Sequence, residues 1–357
     1  MKITFLLISI ERSGGVRVTI EIANQLAKLK HCCRLIVSGD EEIPFSVNHE
    51  IEIIRSRCAK VSNHLGIVNR VMSLAKAVPA DSDVIVASYY LTTYSAILAK
   101  LRVRSARLFY IVQGYEPNYF CQADGSNQWF SYYLACYSYR LPLHKTAISS
   151  WLSNILISHG VHDVTVINNG INSELFSPCA GGCLSDVPII MTVGNRRPNR
   201  GFFDFCDAAN LLWKRRKDFR ILIIGTDSNV TNGLNLPFDF LIPCNDEELV
   251  IAYRSALIYV TCSHEEGFGL TPLEAMSCET AVVCTDSGGV RDFAIDDENC
   301  LMVPVRDVNQ IAEAIDRLLD DQECRARLIE QGRKTALRFD WTIIGRQYER
   351  VFCEKQN

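Results

Sequence analysis

The sequence predicts an α/β protein that consists of two successive doubly wound units, each built on a parallel sheet. Short apolar runs alternate with segments of helical period along most of the 357 residues. This alternation is typical of a parallel sheet that is covered by helices on both faces. It breaks once, near 171–187, where the stretch INSELFSPCAGGCLSDVP holds two prolines, a Gly-Gly pair and no clear period. Because the alternation restarts after this break, we expect a second unit of the same kind.

The first half of the chain begins with a predicted strand and a predicted helix. Residues 3–10 form an apolar run that predicts a strand, and apolar residues then recur at helical spacing from Val16 to Ala27. The same patterns predict, in order, a strand at 83–87, a helix near 92–101, and strands at 108–112 and 164–167.

The second half repeats the pattern. Apolar runs predict strands at 189–193, 220–224, 258–261 and 281–285, and helical spacing predicts helices at 201–214, 272–278 and 308–319. The expected organisation is an N-terminal Rossmann-like domain at 1–170, a linker at 171–187, a C-terminal Rossmann-like domain at 188–338 and a final helix at 339–357 that returns to the first domain. Ligands of open parallel sheets bind beyond the carboxyl ends of the strands. We therefore expect the two domains to face each other across a cleft.

Composition and charge narrow the class of protein. Hydrophobic residues make up 48% of the chain, charged residues make up 22%, and the net charge is −4. These values are typical of a globular protein, and they exclude the strongly basic character of a dedicated nucleic-acid binder. Basic residues do cluster at Lys100, Arg102, Arg104 and Arg107. Such a cluster forms either a solvated surface or a contact with an anionic membrane.

The cysteines and the first apolar run indicate the compartment. Fifteen cysteines without a CxxC pair favour small buried hydrophobes in a reducing cytosol over disulfides or structural zinc. The run ITFLLISI after Lys2 fits a buried strand better than a signal-peptide core. Since no apolar stretch reaches the ~18 residues of a membrane span, we expect a cytoplasmic protein whose contact with a membrane is peripheral.

The segment SHEEGFGLTPLEAM at 263–276 carries the most chemical information. It follows a predicted strand and opens a predicted helix. Pro272 suits the first helical position, because its missing N–H would have no partner there. Thr271 would then be the N-cap residue, and Glu274 would stand at the third helical position of a T-x-x-E capping box.

The same segment suits the binding of a phosphorylated sugar. GFGL leaves backbone N–H groups at the start of a helix, where free donors and the helix dipole attract phosphate. Glu266 and Glu274 stand eight positions apart around this loop. A carboxylate accepts hydrogen bonds from sugar or ribose hydroxyls, so both glutamates are candidate ligand-binding residues. Helix capping and ligand binding by Glu274 are compatible.

This E-x7-E pair around GFGL and EAM resembles the donor site of the family 4 glycosyltransferases, which are retaining enzymes of the two-domain GT-B type. Further segments are similar to the same family and extend the resemblance over nearly the whole chain: TAISSWLSNIL with VINNGINSELFSP, VGNRRPNRG, SGGVRD with NCLMVP, and FDWTIIGRQYERVF. The resemblance implies that a nucleotide-sugar donor binds to the C-terminal domain.

The resemblance also implies roles for single residues of this chain. Glu274 is expected to bind the donor ribose, and Glu266 is expected to contact the donor sugar. Backbone amides are expected to meet the diphosphate or the sugar at Phe268, Gly269 and Leu270. We also assign Gly15, Gly194, Arg196 and Arg200 to donor binding; the two arginines are included because a guanidinium binds phosphate.

The chain departs from the family pattern at several positions. Asn195 and Arg200 stand where the family usually has the arginine and the lysine that bind the diphosphate, and a guanidinium at Arg200 still supplies the charge. Gln113 stands where many members have a histidine that contacts the donor sugar. We assign Gln113 to the catalytic group with Glu266 and Arg200, although a glutamine has no acid–base function. Glu279 stands where the family often has glycine.

Two segments of the first domain are candidates for the acceptor side. Gln-x-Tyr-Glu at 113–116 is similar to a subset of rhamnosyl- and galactosyltransferases, which implies acceptor contacts for Tyr115 and Glu116. A plain loop before Pro117 is the alternative. The aromatic segment 129–141 fits a buried core helix, a platform for the acceptor or a helix that faces a membrane.

The expected activity is the transfer of a hexosyl unit from a nucleoside-diphosphate sugar to a hydroxyl of a glycan or lipid-linked acceptor, in cell-surface polysaccharide synthesis. The sequence DSD at 81–83 precedes a strand of the N-terminal domain, so we expect a turn there and neither a required metal nor another cofactor. The alternatives are a non-catalytic nucleotide-sugar-binding protein and a GT-B-like epimerase. An oxidoreductase is disfavoured because no G-x-G-x-x-G follows the first strand.

Overall fold

A computed structural model describes residues 1–11, 13–39, 42–56, 64–121, 128–179, 187–231 and 234–354. They form two compact units, which are Met1–Asn169 with Trp341–Asn357 (unit 1) and Gly170–Asp340 (unit 2). Each unit contains one sheet, and every pair of neighbouring strands is parallel. The prediction of two doubly wound α/β units is confirmed.

Unit 1 has a seven-stranded sheet in the order β3-β2-β1-β4-β5-β6-β7. The strands are β1 (Lys2–Leu7), β2 (Cys32–Ser38), β3 (Glu52–Ser56), β4 (Val84–Ala87), β5 (Arg107–Val112), β6 (His144–Ala147) and β7 (Val164–Val166). The helices are α1 (Gly14–Lys28), α2 (His64–Ala77), α3 (Tyr90–Lys100), α4 (Asn118–Cys121), α5 (Gln128–Ser138), α6 (Ser150–Ser158) and α12 (Trp341–Cys353).

The central strands of unit 1 are apolar because helices cover both faces of the sheet. All four residues of β4 are buried, and so are the last five residues of β5. The helix α12, although it comes last in the sequence, packs inside this unit. The ring of Phe352 lies 4.6 Å from the ring of Phe109, and Gly345 lies against Gln25 of α1, where a Cβ would be 2.6 Å from the glutamine Cβ.

Unit 2 has a six-stranded sheet in the order β10-β9-β8-β11-β12-β13. The strands are β8 (Ile189–Val193), β9 (Arg220–Ile224), β10 (Phe238–Leu241), β11 (Ile258–Thr261), β12 (Ala281–Thr285) and β13 (Leu301–Val303). The helices are α7 (Phe202–Arg215), α8 (Asp246–Ser255), α9 (Leu270–Ser277), α10 (Val308–Asp320) and α11 (Gln322–Leu337).

Both sheets have a point at which the strand order reverses. In unit 2 this point lies between β8 and β11, which pair with Ile190 opposite Ile258. In unit 1 it lies between β1 and β4, which pair with Ile3 opposite Val84. Open α/β sheets bind ligands in the crevice beyond the carboxyl ends of the strands at such points. The loops after these four strands are therefore the expected ligand-binding loops.

The described part of the expected linker is packed into unit 2. Phe176 is fully buried, and its ring lies 6.0 Å from the ring of Tyr253. Arg254 donates a hydrogen bond to the carbonyl of Ser177 at 2.6 Å. Residues 180–186 of the same stretch lie outside the described residues.

Within the described ranges, no helix combines the length and the apolar character that crossing a bilayer would take. The described cysteines are free thiols, and many of them are buried, among them Cys206, Cys262, Cys278 and Cys284. A buried free cysteine behaves as a small hydrophobe.

Candidate functional site

Arg200 and Glu266 meet where the strand order of unit 2 reverses. Arg200 follows β8, Glu266 follows β11, and these strands are neighbours. The Arg200 Nη1 donates to Glu266 Oε1 in an ion pair, and the Ser263 hydroxyl donates to the same oxygen at 2.9 Å. About a third of the Arg200 side chain is exposed, so the pair lies at the surface of the unit. The structure therefore brings together two of the three predicted catalytic residues.

The loop that carries Arg200 is fixed against the end of β11. Gly201 has a φ of 60°, and a Cβ built there would lie 1.7 Å from the carbonyl oxygen of Cys262. Only glycine combines this backbone conformation with this close approach. The His264 amide donates to the Asn199 carbonyl at 2.8 Å, and the His264 ring is 2.6 Å from Asp204 Oδ2 on α7. His264 thus joins the two loops at both its backbone and its side chain.

The loop that carries Glu266 is held from its other side by the segment after β12. The Glu266 amide donates to the Ser287 carbonyl at 2.8 Å, and the Gly289 amide donates to the Glu266 carbonyl at 2.9 Å. A Cβ at Gly289 would lie 2.1 Å from the carbonyl oxygen of Gly267. The glycine in the SGGVRD segment therefore allows two backbones to pack directly on each other.

The predicted capping box at the start of α9 is wrong. The helix begins at Leu270, and its N-cap residue is Gly269, whose φ is 97°. Pro272 is therefore the third helical residue instead of the first, and Thr271 is the second instead of the N-cap. A glycine in the left-handed region lets the chain turn directly into the helix. The first-turn N–H groups, which have no intrahelical partners, consequently begin within the GFGL loop.

Glu274 lies on the first turns of α9 in a nearly closed environment. Its residue is 4% exposed, and its Oε2 accepts a hydrogen bond from the Tyr253 hydroxyl at 3.1 Å. Tyr253 is fully buried on α8. A buried carboxylate that is held by a buried hydroxyl has a fixed orientation, which suits the recognition of a ligand hydroxyl. The Phe268 ring is also buried, against Phe293.

A cavity of ≈ 200 Å³ opens between these elements. The residues that line it include Asn195, Arg200, Ser263, Glu266 and Thr271. The cavity thus lies beside the ion pair, between the loop after β8 and the start of α9.

Three predicted donor-site positions in the loop after β8 have different surroundings. Gly194 is packed tightly, since a Cβ there would lie 2.8 Å from Val230. Asn195, which replaces the family arginine, accepts a hydrogen bond from the Arg197 amide at 2.9 Å and shapes the turn. Arg196 donates to the carbonyl of Asn229 at 2.7 Å on the surface. Of the two guanidinium groups proposed for the diphosphate, only Arg200 is ion-paired to Glu266.

In unit 1, Gly15 and Gln113 are brought together. Ser13 is the N-cap of α1, so Gly14 and Gly15 are the first two residues of the helix. The Gln113 Nε2, after β5, donates to the Gly15 carbonyl at 2.9 Å and to the Thr19 hydroxyl at 3.3 Å. A Cβ at Gly15 would lie 3.2 Å from Gln113 Oε1. The glutamine thus holds its amide against the N-terminus of α1.

Glu116 lies in the core of unit 1. It is 3% exposed, its Oε1 accepts from the Tyr110 hydroxyl at 3.0 Å, and its Oε2 accepts from the Tyr90 amide at 2.8 Å. Burial raises the pKa of the Glu116 carboxyl to about 8. Tyr115 is also buried, and its ring stacks 5.8 Å from that of Tyr139. The surroundings of both residues are those of a core, so an acceptor contact for either of them stays a prediction.

The interpretation of the aromatic segment 129–141 as a buried core helix is wrong for much of its surface. Residues 128–138 do form α5, but Trp129, Phe130, Tyr133 and Tyr137 are exposed. Only Ala135 and Ser138 of this helix are buried. The acceptor-platform and membrane interpretations therefore remain.

The DSD sequence forms a turn before β4. Asp81 is ion-paired with Lys2 at 2.7 Å and with Arg34 at 2.7 Å, and the Ser82 hydroxyl donates to the Pro79 carbonyl. In the parts of the chain that the structure describes, no three His, Cys, Asp or Glu side chains come together as a group that could hold a metal ion.

Sequence reasoning missed four residues that shape the site in unit 2. They are Tyr253, Ser263, His264 and Asp204, which hold Glu274, Glu266 and the loop after β8. Ser263 and His264 lie inside the motif segment, and their position there is a signal that could have been used. Tyr253 and Asp204 lie on other helices, and no sequence pattern connects them to the motif.

Two family models match the chain. The model for Glycosyltransferase Family 4 matches residues 12–175, and the model for Glycosyl transferases group 1 matches residues 182–335. The chain belongs to the family 4 glycosyltransferases, as its motifs predict.

Two curated relatives are named as a glycosyltransferase and a mannosyltransferase. A D-inositol 3-phosphate glycosyltransferase of Saccharomonospora viridis is 30% identical over 203 residues, which are 50% of this chain and 47% of the relative. A phosphatidyl-myo-inositol mannosyltransferase of Mycolicibacterium smegmatis is 28% identical over 201 residues, which are 53% and 52% of the two chains. The chain spans about half the length of the curated relatives it matches.

Solved structures show the same architecture. A sucrose-phosphate synthase from Thermosynechococcus elongatus has a TM-score of 0.82 at 18% identity, with 99% of this chain and 98% of that chain covered. Anabaena Alr3699/HepE in complex with UDP and glucose has a TM-score of 0.80 at 17% identity, with 99% and 100% covered. These likenesses establish the fold as GT-B.

Proposed function

We propose that this chain is a retaining glycosyltransferase, which moves a hexosyl unit from a nucleoside-diphosphate sugar to a hydroxyl of a glycan or a lipid-linked acceptor. We further propose that it requires neither a metal ion nor another cofactor. Its proposed setting is cell-surface polysaccharide synthesis, in the cytoplasm and with a peripheral contact at the inner face of the membrane.

The observation that carries the proposal is the Arg200–Glu266 ion pair beside the N-terminus of α9. A guanidinium and a helix N-terminus both attract phosphate oxygens. Two carboxylates, Glu266 and Glu274, lie on either side of the same loop and can accept hydrogen bonds from hydroxyl groups. An anion site between two hydroxyl acceptors fits a molecule with a diphosphate between a ribose and a hexose.

Each residue of this group has a proposed role. Glu274, oriented by Tyr253, accepts hydrogen bonds from the ribose. Arg200 and the amides of Phe268, Gly269 and Leu270 bind the diphosphate, and Glu266 accepts a hydrogen bond from the sugar. Gln113, held at the N-terminus of α1, contributes an amide group to donor binding in unit 1.

In the proposed step, the bond between the anomeric carbon and the diphosphate oxygen breaks while the acceptor oxygen forms a new bond on the same face of the sugar. The electron pair of the broken bond stays on the diphosphate, and a diphosphate oxygen takes the proton of the acceptor hydroxyl. Arg200 and the α9 amides stabilise the negative charge that develops on the leaving group. Donors that are already oriented do this without reorganisation, which is why they are effective.

Similar proteins support the donor and the acceptor classes. Anabaena Alr3699/HepE has been solved in complex with UDP-glucose and with UDP. The curated relatives are named for inositol phosphate and for phosphatidyl-myo-inositol. These names support a nucleotide-sugar donor and a hydroxylated, in part lipid-linked, acceptor for the present chain.

Thermal stability with added nucleotides tests the donor part of the proposal. Ligands that bind the folded state raise the melting temperature by mass action. We expect one class of nucleoside diphosphate, or its sugar, to raise the Tm with a chelator present, and we expect Glu274→Ala to lose most of this shift. Glu313→Ala, an exposed glutamate of α10, is the control and should keep it. If no nucleotide shifts the wild-type Tm, the proposal is wrong at its first step.

Product analysis tests the reaction. Incubation of the bound donor with candidate acceptors should give a glycoside with the anomeric configuration of the donor, which NMR reads directly. An inverted product would contradict retention. Donor binding without any transfer would favour the non-catalytic binder, and conversion of the donor without an acceptor would favour an epimerase. Loss of transfer in the presence of a chelator would contradict independence from metal.

A further inference from the structure

We propose that the exposed face of α5 and the basic ends of its neighbouring helices form a docking surface for an anionic lipid bilayer. The inference rests on the proposed function, because a lipid-linked acceptor gives such an enzyme a reason to lie on a membrane. It assigns the membrane contact to α5 and its neighbours, which is one of the interpretations that the sequence left open for the segment 129–141.

The first observation is an aromatic stripe along α5. Trp129, Tyr133 and Tyr137 follow one another at intervals of four residues and are 67%, 63% and 56% exposed. Phe130 is exposed beside them at 47%. At 3.6 residues per turn these four side chains fall within an arc of about 100°. The opposite side of the helix is the one that packs, since Ala135 and Ser138 are buried.

The chemistry of the stripe fits a lipid interface. Tryptophan and tyrosine have an apolar body and a polar tip, and they are enriched where a membrane meets water. A helix that lies in this interface buries such a face between the headgroups and the acyl chains. Three of the four side chains have a polar tip, so the stripe suits a boundary between apolar and polar phases.

The second observation is the charge around the stripe. Among the described residues from Val84 to Val161, the single acidic side chain is Glu116, and it is buried. The helix α2 carries Arg70 and Lys76 without any acidic residue. The layer formed by α2, α3 and α5 therefore presents positive charge and no exposed carboxylate in its described part.

Contacts between these helices show where the basic residues lie. The Tyr94 hydroxyl of α3 donates to the carbonyl of Leu134 on α5 at 2.8 Å. Nearer the start of both helices, the side chain of Tyr90 on α3 is hydrogen-bonded to that of Ser131 on α5. The two helices therefore run in the same direction. Arg102, just after α3, donates to the Val78 carbonyl at the end of α2 at 2.6 Å. The C-terminal ends of α2 and α3 are thus adjacent, and that of α5 points the same way.

This arrangement collects basic side chains at one end of the aromatic stripe. Lys76, Lys100, Arg102 and Arg140 stand at or just after the C-terminal ends of the three helices. Lys100 and Arg102 donate to backbone carbonyls, which are uncharged acceptors. Lys76 and Arg140 are exposed. Basic residues near an anionic membrane are attracted to its headgroups.

A bilayer fits this surface better than a second copy of the chain. In a symmetric dimer both copies present the same surface. The basic ends would then meet no exposed carboxylate among the described residues of these helices. Anionic headgroups would neutralise these charges while the acyl boundary received the aromatic rings. Aromatic and electrostatic contributions therefore act together on an anionic lipid surface.

Vesicle binding tests the inference. We expect the full chain to co-sediment with vesicles made of phosphatidylglycerol and phosphatidylcholine in a one-to-two ratio, and to bind pure phosphatidylcholine much less. The triple substitution Trp129→Ser, Tyr133→Ser and Tyr137→Ser should reduce the partition coefficient about tenfold or more. The pair Lys76→Glu and Arg140→Glu should reduce binding to the anionic vesicles by a similar factor and should leave binding to phosphatidylcholine unchanged.

The controls carry changes of the same kind in unit 2. Ile251→Ser removes an apolar side chain of α8 that is 62% exposed, and the pair Lys214→Glu and Arg215→Glu reverses two exposed charges of α7. Both controls should bind vesicles like the wild type. The nucleotide-induced Tm shift should survive in the α5 variants, which shows that they are folded. This shift also separates the two proposals, because vesicle binding without a nucleotide response would reject the donor site and keep the docking surface.

Trp129 supplies a direct readout of insertion. Its emission should move to shorter wavelength with anionic vesicles and should be quenched by brominated acyl chains. Trp129→Phe should still bind the vesicles, and both the emission change and the quenching should be lost.

Three results would overturn the inference. The first is a wild-type protein that ignores anionic vesicles at low salt, and the second is equal binding by the wild type and the α5 triple variant. The third is concentration-dependent self-association that the triple variant abolishes, which would assign the face to a second copy. If the wild type does not bind vesicles and the triple variant loses transfer to a water-soluble acceptor, the exposed face of α5 would be assigned to acceptor binding instead.

Discussion

The Tyr253 hydroxyl donates a hydrogen bond to Glu274 Oε2 at 3.1 Å, and both residues are buried. The two side chains come from different helices, α8 and α9. Their bond fixes the carboxylate that is proposed to receive the ribose. In this proposal Tyr253 acts on the ribose only through Glu274, so we expect it to be a positioning residue.

The first prediction concerns this bond. Tyr253→Phe should weaken the binding of the preferred nucleoside diphosphate several-fold, because the carboxylate loses its orienting donor. It should also reduce the preference for that nucleotide over its 2′-deoxy form, since a site that is built to bind a hydroxyl discriminates against its absence. Calorimetric titration of both nucleotides measures this ratio. Tyr348→Phe, at a buried tyrosine of unit 1, should leave it unchanged, and an unchanged ratio in Tyr253→Phe would remove the positioning role.

The second prediction concerns the charge on the leaving group. Arg200→Gln should lower kcat by about 10²–10³, which is the usual cost of losing one preorganised donor at a developing anion. Arg200→Lys should recover part of this loss, because it keeps the charge but not the planar fork. Arg196→Gln is the matched control, since Arg196 donates to the Asn229 carbonyl and is expected to matter less. Equal losses in Arg196→Gln and Arg200→Gln would contradict the assignment.

The third prediction follows from the raised pKa of Glu116. The unfolded chain releases this proton near pH 4.5, whereas burial raises the pKa in the folded state to about 8. As the pH rises from 4.5 to 8, the unfolded state binds fewer protons than the folded state, so the free energy of unfolding falls, by at most ~1.4 kcal/mol per pH unit. Below pH 4.5 this contribution is complete, and above pH 8 it is lost.

Glu116→Gln tests this dependence, because a carboxamide does not titrate in this range. The Tm of the variant minus the Tm of the wild type should increase between pH 5 and pH 8. Glu313→Gln, at an exposed position, should show a constant difference. Parallel pH profiles for Glu116→Gln and the wild type would mean that the buried carboxyl is not protonated in the folded state.

The fourth prediction concerns the residue that ends α9. Glu279 has a φ of 60°, and its amide donates to the Met276 carbonyl at 3.1 Å while the Thr280 amide donates to the Ala275 carbonyl at 3.0 Å. These two bonds form a Schellman motif, whose left-handed residue is usually glycine. The family often has glycine at this position, so the chain keeps the conformation with a less suitable residue.

Glu279→Gly should therefore stabilise the protein by about 0.5–1 kcal/mol, which is the strain removed less the added entropy of the unfolded chain. Thermal unfolding should show an increase in Tm of about 1–3 °C. Glu279→Ala keeps the strained backbone and loses only the carboxylate, so its Tm should stay near that of the wild type. A decrease with glycine would show that the glutamate side chain itself contributes to stability.

The apolar pattern predicted eight of the thirteen strands in the described part of the chain, including the edge strand β7, and it missed the central strands β2 and β6. Four predicted strands of unit 2 have the observed bounds, 189–193, 220–224, 258–261 and 281–285. The interior residues of these strands are mostly apolar and largely buried. The edge strands β3, β10 and β13 were not predicted either. In β3 and β10, exposed and half-buried residues interrupt the apolar run. The helix α9 was predicted two residues late, since Gly269 initiates it through a left-handed φ.

The site was predictable where its residues follow adjacent strands. Arg200 and Glu266 are 66 positions apart, and the resemblance to a family identified both of them. Their pairing depends on β8 lying next to β11, which periodicity does not reveal. The burial of Glu116 was not predictable either, because its partners Tyr90 and Tyr110 belong to other elements. Polar residues in a loop carry no sequence signal that separates a core position from a ligand contact.

The packing of α12 has a consequence for the order in which the chain acquires its structure. Unit 2 is continuous in sequence, whereas unit 1 is assembled from two segments that flank it. Phe352 reaches the core of unit 1 beside Phe109, which was synthesised more than half a chain earlier. Since contacts between distant segments form slowly and domains generally fold as units during synthesis, we expect unit 2 to be complete on the ribosome before unit 1 closes.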